Sequence, residues 1–504
     1  MAEMSKLTKS LDSFGATSQL VAAGSVLCIG MAALRQYLLS YKLPNGCPEA
    51  PGTLGALPRI WRAVRKSAIH DELVEAHEEM GDTVFLSFGL LRYFLRPIVV
   101  TRDARNVEYM LKNNFPNYPK GDVPYAVLHD LLGDGIFNAD GASWMAQRKT
   151  ASQMFTANRF KNHIWRVVEK NIGKVLNILE VPNGAIDIFN LMNRFTLDSI
   201  GEIGFGTSIG SLEHPESPFL KSFDEAQRIS FRRFIFPGWR LLRLLGLGFE
   251  KDSGLHFRAL KKYSADLVQD LRGKLDSEAG DSFLGLFMKS RASGLPGSKD
   301  FLIDMVLNFL IAGRDTTAQA MSWCFFLITQ HPTVEAKILE EIQDICGDGL
   351  LQYDQLNRFK YLEAVLNETL RLYPSVPVDL KVAEGNDTLP DGTYISKGTM
   401  FCYAAYAMGR SEQIWGKDAG EFRPERWLAL QAPKSPYENP SFHAGPRECL
   451  GKRLAMVEMK TVLISVLRNF HLELDMDAED VLQDVQMTIG MSSGLRCRAT
   501  PRLS

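Results

Sequence analysis

From Phe301 to Ile328 the chain is mostly apolar and contains no proline. Such a run can wind as one uninterrupted helix, and a helix apolar on most sides has to be buried. The fold must be built around it. The run is broken chemically, not conformationally, by Ala312-Gly313-Arg314-Asp315-Thr316-Thr317. Two readings of that break are open. Thr316 can bond back to its own turn and bend the helix. Alternatively, Gly313 thins the helix and leaves a gap beside which Asp315 offers a carboxylate and Thr316 a hydroxyl.

Seven cysteines stand at 28, 47, 324, 346, 402, 449 and 497, with no Cys-x-x-Cys pair and no regular spacing. That excludes a disulfide framework and a zinc site, and fits a reducing compartment. Cys449 stands apart, within Phe442-His-Ala-Gly445-Pro-Arg447-Glu-Cys449-Leu-Gly451. Arg447 precedes it, and Lys452 and Arg453 follow. Neighbouring cations favour the thiolate, the form that binds metal. Gly445 and Gly451 remove side chains where something flat and bulky could approach the backbone. Elsewhere, Glu368 and Arg371 share a helix face, as do Trp144 and Arg148. An exposed pair like the first is worth only about 0.3–0.5 kcal/mol. It becomes informative because Phe422-Arg-Pro424-Glu-Arg426-Trp427 follows.

Taken in order, these motifs resemble those of the cytochromes P-450. The loop Phe442–Gly451 resembles that family's haem-ligand loop, Ala312–Thr317 its oxygen-activating motif, and Phe422–Trp427 its meander. The likeness runs from about Pro51 to about Val485. It implies a mainly α fold with small β-sheets, the haem-thiolate triangular prism, carrying an N-terminal membrane anchor. It implies haem b (iron protoporphyrin IX) with Cys449 as thiolate ligand. Arg447, Trp144, Arg148, Phe442, Gly445, Gly451, Ala312 and Gly313 would lie around the cofactor. Thr316 and Asp315 would steer protons to bound dioxygen. Glu368, Arg371 and Arg426 would form a buried structural network beneath the haem. Electrons would come from NADPH through NADPH-cytochrome P-450 reductase, with cytochrome b5 as a further partner.

Longer strings narrow the likeness. Asn117-Tyr-Pro-Lys-Gly121, His129 to Asn138, Gln147-Arg-Lys149 and Leu372 to Asp379 resemble the plant-type and fungal fatty-acid ω-hydroxylase branch. The expected substrate is a lipid, an aliphatic chain hydroxylated at or near its terminal carbon. Tyr118, Lys120, Phe309, Val376, Val378, Leu380, Ile489 and Met491 are the expected pocket walls. Lys120 is either a carboxylate anchor near the mouth or an ordinary exposed lysine. Oxidation of an alkane, fatty alcohol or sterol is the alternative. A reductase-independent hydroperoxide-rearranging enzyme and a non-catalytic haem or lipid sensor are the rival classes.

With 504 residues and no linker or repeat after residue 51, one large domain is expected over 53–504. A net charge of −2 argues against nucleic acid as a partner. Phe14 to Leu34 carries no charge, and about 20 apolar residues span a bilayer. Residues 1–43 therefore read as an uncleaved anchor with its flanks, a cleaved signal peptide being the alternative, and 44–52 as a proline–glycine hinge. Arg59, Arg62, Arg65 and Lys66 follow on the cytosolic side of an endoplasmic reticulum membrane. Thr83–Phe88 and Phe94–Thr101 read as a hairpin, and Asp103 as the cap of a helix through Leu111. Residues 116–140 read as loop, Thr388–Ala407 as strands, and Lys452–Asn469 as helix. The basic amphipathic segment Ile229–Phe249 reads equally as a membrane-surface element or a solvated face.

Overall fold

In a computed structural model the apolar run forms a single helix, Lys299–Gln330, with no break at its polar middle. The description covers residue 46 and residues 68–502, apart from 87–95, 157–159, 182–183, 216–217, 275–281 and 290–298. The expected anchor and nearly all of the hinge lie outside these residues. No described helix is long and apolar enough to cross a membrane.

The central helix is buried along most of its length and packs against Ile188–Phe205, Ser253–Arg272, Lys360–Leu372 and Lys452–Asn469. One hydrophobic cluster joins side chains of all these helices, among them Phe195, Leu260, Met321, Leu366 and Leu463. Each such side chain contributes about 1.5–3 kcal/mol on burial. Gly313 is needed for the closest of these packings. A Cβ there would lie 2.5 Å from Cγ1 of Ile200 on the neighbouring helix. The residue thus serves helix–helix packing as well as any opening beside it.

The β structure is minor. A four-stranded sheet runs Thr83–Leu86, Ile98–Thr101, Met400–Tyr403, Asp379–Val382, its middle pair parallel and the outer pairs antiparallel. A three-stranded sheet joins Ile186–Asp187, Arg496–Pro501 and Phe470–Leu474. The hairpin, the strands after Asp387 and the helix Lys452–Asn469 fall where the sequence placed them. Asp103 caps its helix by accepting from the Arg105 N–H, but from Tyr109 the helix widens to π geometry.

The segment 116–140 is not all loop. Asp122–Leu132 is a helix, with Pro124 in its first turn, where the missing N–H costs nothing. Proline and glycine content hid it. The Ile229–Phe249 segment divides into the end of Pro218–Ile235 and a short helix Trp239–Leu245. Its arginines also divide. Arg233 is buried against Glu250 and Asp130, whereas Leu241, Leu244 and Leu245 stand exposed.

Candidate functional site

The loop before Lys452–Asn469 is tightly constrained. The Cys449 N–H donates to the Phe442 carbonyl at 2.9 Å and the Glu448 N–H to that of Gly445 at 3.0 Å. Gly445 has φ +66°, and a Cβ there would come 2.2 Å from the Leu111 carbonyl oxygen. Glycine is obligatory on both counts. His443 has φ 59°, the only positive value for a non-glycine among the described residues. Its Nε2 lies 3.1 Å from the Asp379 carboxylate.

Cys449 is the only exposed cysteine of those described. Yet protein crowds its thiol enough that burial raises the pKa. Backbone N–H groups of Gly451 and Lys452 and the Arg148 guanidinium pull the other way. The two observations agree if the sulfur lines an internal space. The central helix shows the same signature. Phe309, Ala312, Gly313 and Thr316 are only partly buried while the positions between them are buried. Their spacing of three and four puts them in one stripe.

In that stripe the Thr316 hydroxyl donates to the Ala312 carbonyl at 2.8 Å, so the back-bond allowed by the sequence is present. It leaves the helix intact. The Ser375 hydroxyl donates to the Thr316 carbonyl at 2.7 Å, and the Ile489 N–H to the Ser375 carbonyl at 3.0 Å. Ser375 therefore ties the turn before Val376 and the strand Ile489–Met491 to the stripe. Asp315 lies off the stripe. It is buried, paired with Arg314 at 3.1 Å, and Arg314 also reaches Asp224 on Pro218–Ile235 at 2.6 Å. Burial raises the Asp315 carboxyl to about 6 against the pull of Arg314.

Beside the cysteine loop is a dense charge cluster. Arg447 donates to Asp140 at 2.5 Å and to the Ala139 carbonyl at 3.0 Å, and its guanidinium lies 4.4 Å from the Trp144 ring centroid. Arg148 covers the same ring at 5.9 Å and makes no ion pair among the described residues. Lys120 pairs with Asp379 at 2.7 Å, and Lys381 binds the same carboxylate. Burial opposes ionisation of Asp379, but Lys120, Lys381 and His443 hold it well below the usual carboxylate range. Burial lowers Lys381 to about 7 although Asp379 pulls it up. Lys120, Lys381 and Arg447 thus share two carboxylates, Asp140 and Asp379, while Arg148 beside them feels only Cys449 and Glu448. The buried Arg447 Nε has no partner. An unbalanced, incompletely bonded cationic cluster is costly unless an anion completes it. A dicarboxylate macrocycle reaching from this cluster to an accessible sulfur would do so, and the residues present fit haem.

The structure brings Glu368, Arg371 and Arg426 into one buried network: Glu368 accepts from Arg371 at 2.7 Å and from Arg426 at 2.9 Å. It corrects parts of the expected pocket. Tyr118 is buried in the sheet region, its hydroxyl donating to Asp387 and its ring against Phe401, so it is an anchor and no channel wall. Lys120 is neither an exposed lysine nor a free carboxylate anchor, because Asp379 holds it. Ile489 is fully buried in the main core, and Met491 nearly so. Phe309 stays on the accessible stripe; Val376 is exposed, and Val378 and Leu380 are half-buried.

Sequence reasoning missed Asp140, Asp379 and Lys381. The last two alternate on one strand and so share a face, the one signal that pointed to them.

A family model described as "Cytochrome P450" matches residues 51–495. The chain is 37% identical to "Cytochrome P450 704C1" of Pinus taeda, covering 94% of this chain and 95% of the relative. It is 37% identical to "Cytochrome P450 86B1" of Arabidopsis thaliana, over 93% and 87%. It is 34% identical to "Cytochrome P450 94A1" of Vicia sativa, over 74% and 75%.

Proposed function

This chain belongs to the cytochrome P450 family, and from that premise we propose that it hydroxylates the methyl end of fatty acids. As a member of the family it is a monooxygenase that works with haem-thiolate iron, dioxygen and a redox partner. Bound beside Cys449, the haem supplies the activation of dioxygen and the insertion of one oxygen atom into a C–H bond.

The chain's own residues have four tasks in this proposal. Cys449 gives its sulfur as ligand, held by the Phe442 carbonyl and flanked by the N–H groups of Gly451 and Lys452. Arg148 and Arg447 hold the cofactor's carboxylates, with Trp144 as a flat support. Thr316 presents a hydroxyl on the accessible stripe, and burial raises the neighbouring Asp315 carboxyl to about 6, where it can exchange a proton. Phe309, Val376, Val378 and Leu380 form an apolar approach that presents a chain end. The accessible stripe Phe309–Thr316 carries the reading, because it sets proton-handling and apolar side chains on one face of a buried helix.

The choice of fatty acid rests on the strings Asn117–Gly121 and Leu372–Asp379. Each methylene in an apolar pocket is worth only about 1–3 kcal/mol. Several chain lengths will therefore be accepted, with position of attack held more tightly than length. The electron source in this reading is NADPH through its P-450 reductase, assisted by cytochrome b5. Residues 14–34 anchor the protein uncleaved in the endoplasmic reticulum membrane. A second contact comes from Leu241, Leu244, Leu245 and Leu247, whose exposures run from 52% to 81% between Arg240, Arg243 and Lys251. Membranes take up basic amphipathic surfaces of this kind.

Purified enzyme with reductase and NADPH, offered long-chain fatty acids, alkanes and sterols, tests the proposal through product mass spectra. Terminal or near-terminal hydroxy acids are expected. Oxidation of sterols or aromatic compounds with no turnover of fatty acids overturns it.

A further inference from the structure

Asp140, the partner of Arg447, also lines a cavity of about 380 Å³ that has no part in the reading so far. Three elements wall it. Helix Asp122–Leu132 gives Asp122 and Tyr125, the loop 133–140 gives Asp134, Asn138 and Asp140, and the start of the central helix gives Phe301. Asp122 and Asp134 are exposed, so the cavity opens to solvent. Its charges are unevenly matched. Asp122 accepts from Arg96 at 2.8 Å. Asp140 accepts from Arg447 and from the N–H groups of Lys120 and Gly121. The Asp134 carboxylate accepts from the Tyr125 hydroxyl at 2.7 Å, a neutral donor, and makes no ion pair among the described residues.

The floor is short of hydrogen-bond donors as well. Asn138 is 3% exposed; its Nδ2 donates to the Gly133 carbonyl at 3.0 Å, and its Oδ1 has no partner. Gln147, fully buried, donates through Nε2 to the Asp134 carbonyl at 2.9 Å, and its Oε1 has no partner. Each amide nitrogen already faces a carbonyl, so turning either amide over would set oxygen against oxygen. Buried polar groups nearly always find a partner. Both orphans are acceptors, and so is the uncompensated wall carboxylate. The missing group therefore donates hydrogen bonds and carries positive charge, and the rings of Tyr125 and Phe301 call for an apolar body behind it. Water would satisfy an amide oxygen but bring no charge to Asp134. A bare metal ion fits poorly, since no three His, Cys, Asp or Glu side chains among the described residues converge as ligands.

We propose that this cavity binds a small organic cation bearing N–H groups, an alkylammonium or alkylguanidinium. Asp134 takes its charge, Asn138 Oδ1 accepts one N–H, and the rings of Tyr125 and Phe301 flank its carbon chain and cationic head. The volume lies in the range of small-molecule sites. An occupant touches all three walls and so braces helix Asp122–Leu132. That helix packs on the strand Asp379–Val382, which carries Leu380 of the apolar approach. The cavity is thus an effector site that stiffens one wall of the approach when filled. The effector role rests on the reading of Leu380 as part of that approach; the binding site does not.

Calorimetric titration of the holoenzyme with n-butylguanidinium, a cation with no lone pair to offer iron, tests the site. Binding at one site is expected, several-fold weaker in Asp134→Asn, whose position is exposed and whose amide oxygen still accepts from Tyr125. Tyr125→Leu, which removes a ring from the wall, is expected to weaken it too, while Asp354→Asn, at an exposed acid elsewhere, is expected to leave it unchanged. n-Butyltrimethylammonium, equal in charge but without N–H, is expected to bind several-fold more weakly than n-butylguanidinium. Hydrogen exchange read by mass spectrometry is expected to slow across residues 122–132 when n-butylguanidinium is added, and to stay unchanged in Asp134→Asn. No binding, or equal affinity in Asp134→Asn, Tyr125→Leu and Asp354→Asn, overturns the site. Mg²⁺ or K⁺ slowing that exchange where n-butylguanidinium does not makes it a metal site and overturns the proposal. Calorimetric binding with unchanged exchange overturns the effector role.

Discussion

Replacing Glu368 by alanine is expected to remove a large share of the protein's stability. The carboxylate is fully buried and accepts five hydrogen bonds: two from Arg371 at 2.7 and 2.8 Å, and one each from Arg426, the Trp427 indole and the Arg423 N–H at 2.8 to 2.9 Å. Arg371 has a side chain with no exposure, and Arg426 keeps 5%. Alanine therefore leaves two guanidinium charges deep in the protein with no anion on that side. Arg371 retains the carbonyls of Gly409, Ala419 and Glu421, and Arg426 retains Asp418, so both stay partly bonded. Breaking a buried pair of this kind costs about 3–5 kcal/mol. Whole domains are stable by only about 5–15 kcal/mol. The exposed i,i+4 pair Lys112–Glu108 is the control, and Lys112→Ala should cost no more than about 0.5 kcal/mol. Urea unfolding followed by tryptophan fluorescence, with haem content measured alongside, compares the two. A Glu368→Ala loss under about 1 kcal/mol with full haem content refutes the view that this network locks the scaffold.

Glu458 is buried in the helix after Cys449, and burial alone raises its carboxyl to about 8. The folded state then binds a proton that the unfolded chain has lost. Its stabilising contribution is present below the unfolded pKa of about 4.5 and is lost as pH rises toward 8, at about 1.4 kcal/mol per unit. Glu458→Gln is expected to flatten the fall in stability over that range, as read by thermal unfolding at several pH values. An equally steep fall in the variant contradicts it. Deleting residues 1–42 should leave haem content intact and weaken vesicle binding without abolishing it. Adding Leu244→Asp and Leu245→Asp should abolish the remainder. Complete loss on deletion alone would assign all binding to the N-terminus.

What the sequence made legible follows from the range of each signal. The central helix was readable because its apolar run is long and free of proline. The cysteine loop was readable because its glycines, cations and thiol lie within ten residues. The network of Glu368, Arg371 and Arg426 was readable only through family likeness, since Arg426 comes from a distant segment. The charge cluster around Asp379 escaped for the same reason. Lys120, Asp379 and the pair His443 and Arg447 come from three separate stretches, and no local pattern announces their meeting. Helix Asp122–Leu132 was hidden by Pro124 and the flanking glycines, residues that break helices inside but are tolerated at their ends. Tyr118 looked like a pocket residue because its neighbours matched a substrate-linked string. Its hydroxyl bond to Asp387, made 269 positions away, decided otherwise.

The carbon monoxide difference spectrum of the reduced holoprotein tests the central claim, that Cys449 is the sulfur ligand. Cys402 and Cys497 are buried, and burial raises each thiol to about 12, so neither is placed to bind metal. Cys449→Ser and Cys449→His are expected to lose the thiolate-type spectrum, while Cys402→Ser and Cys497→Ser keep it. A thiolate-type spectrum that survives in both Cys449 variants and disappears with Cys402 or Cys497 contradicts the account.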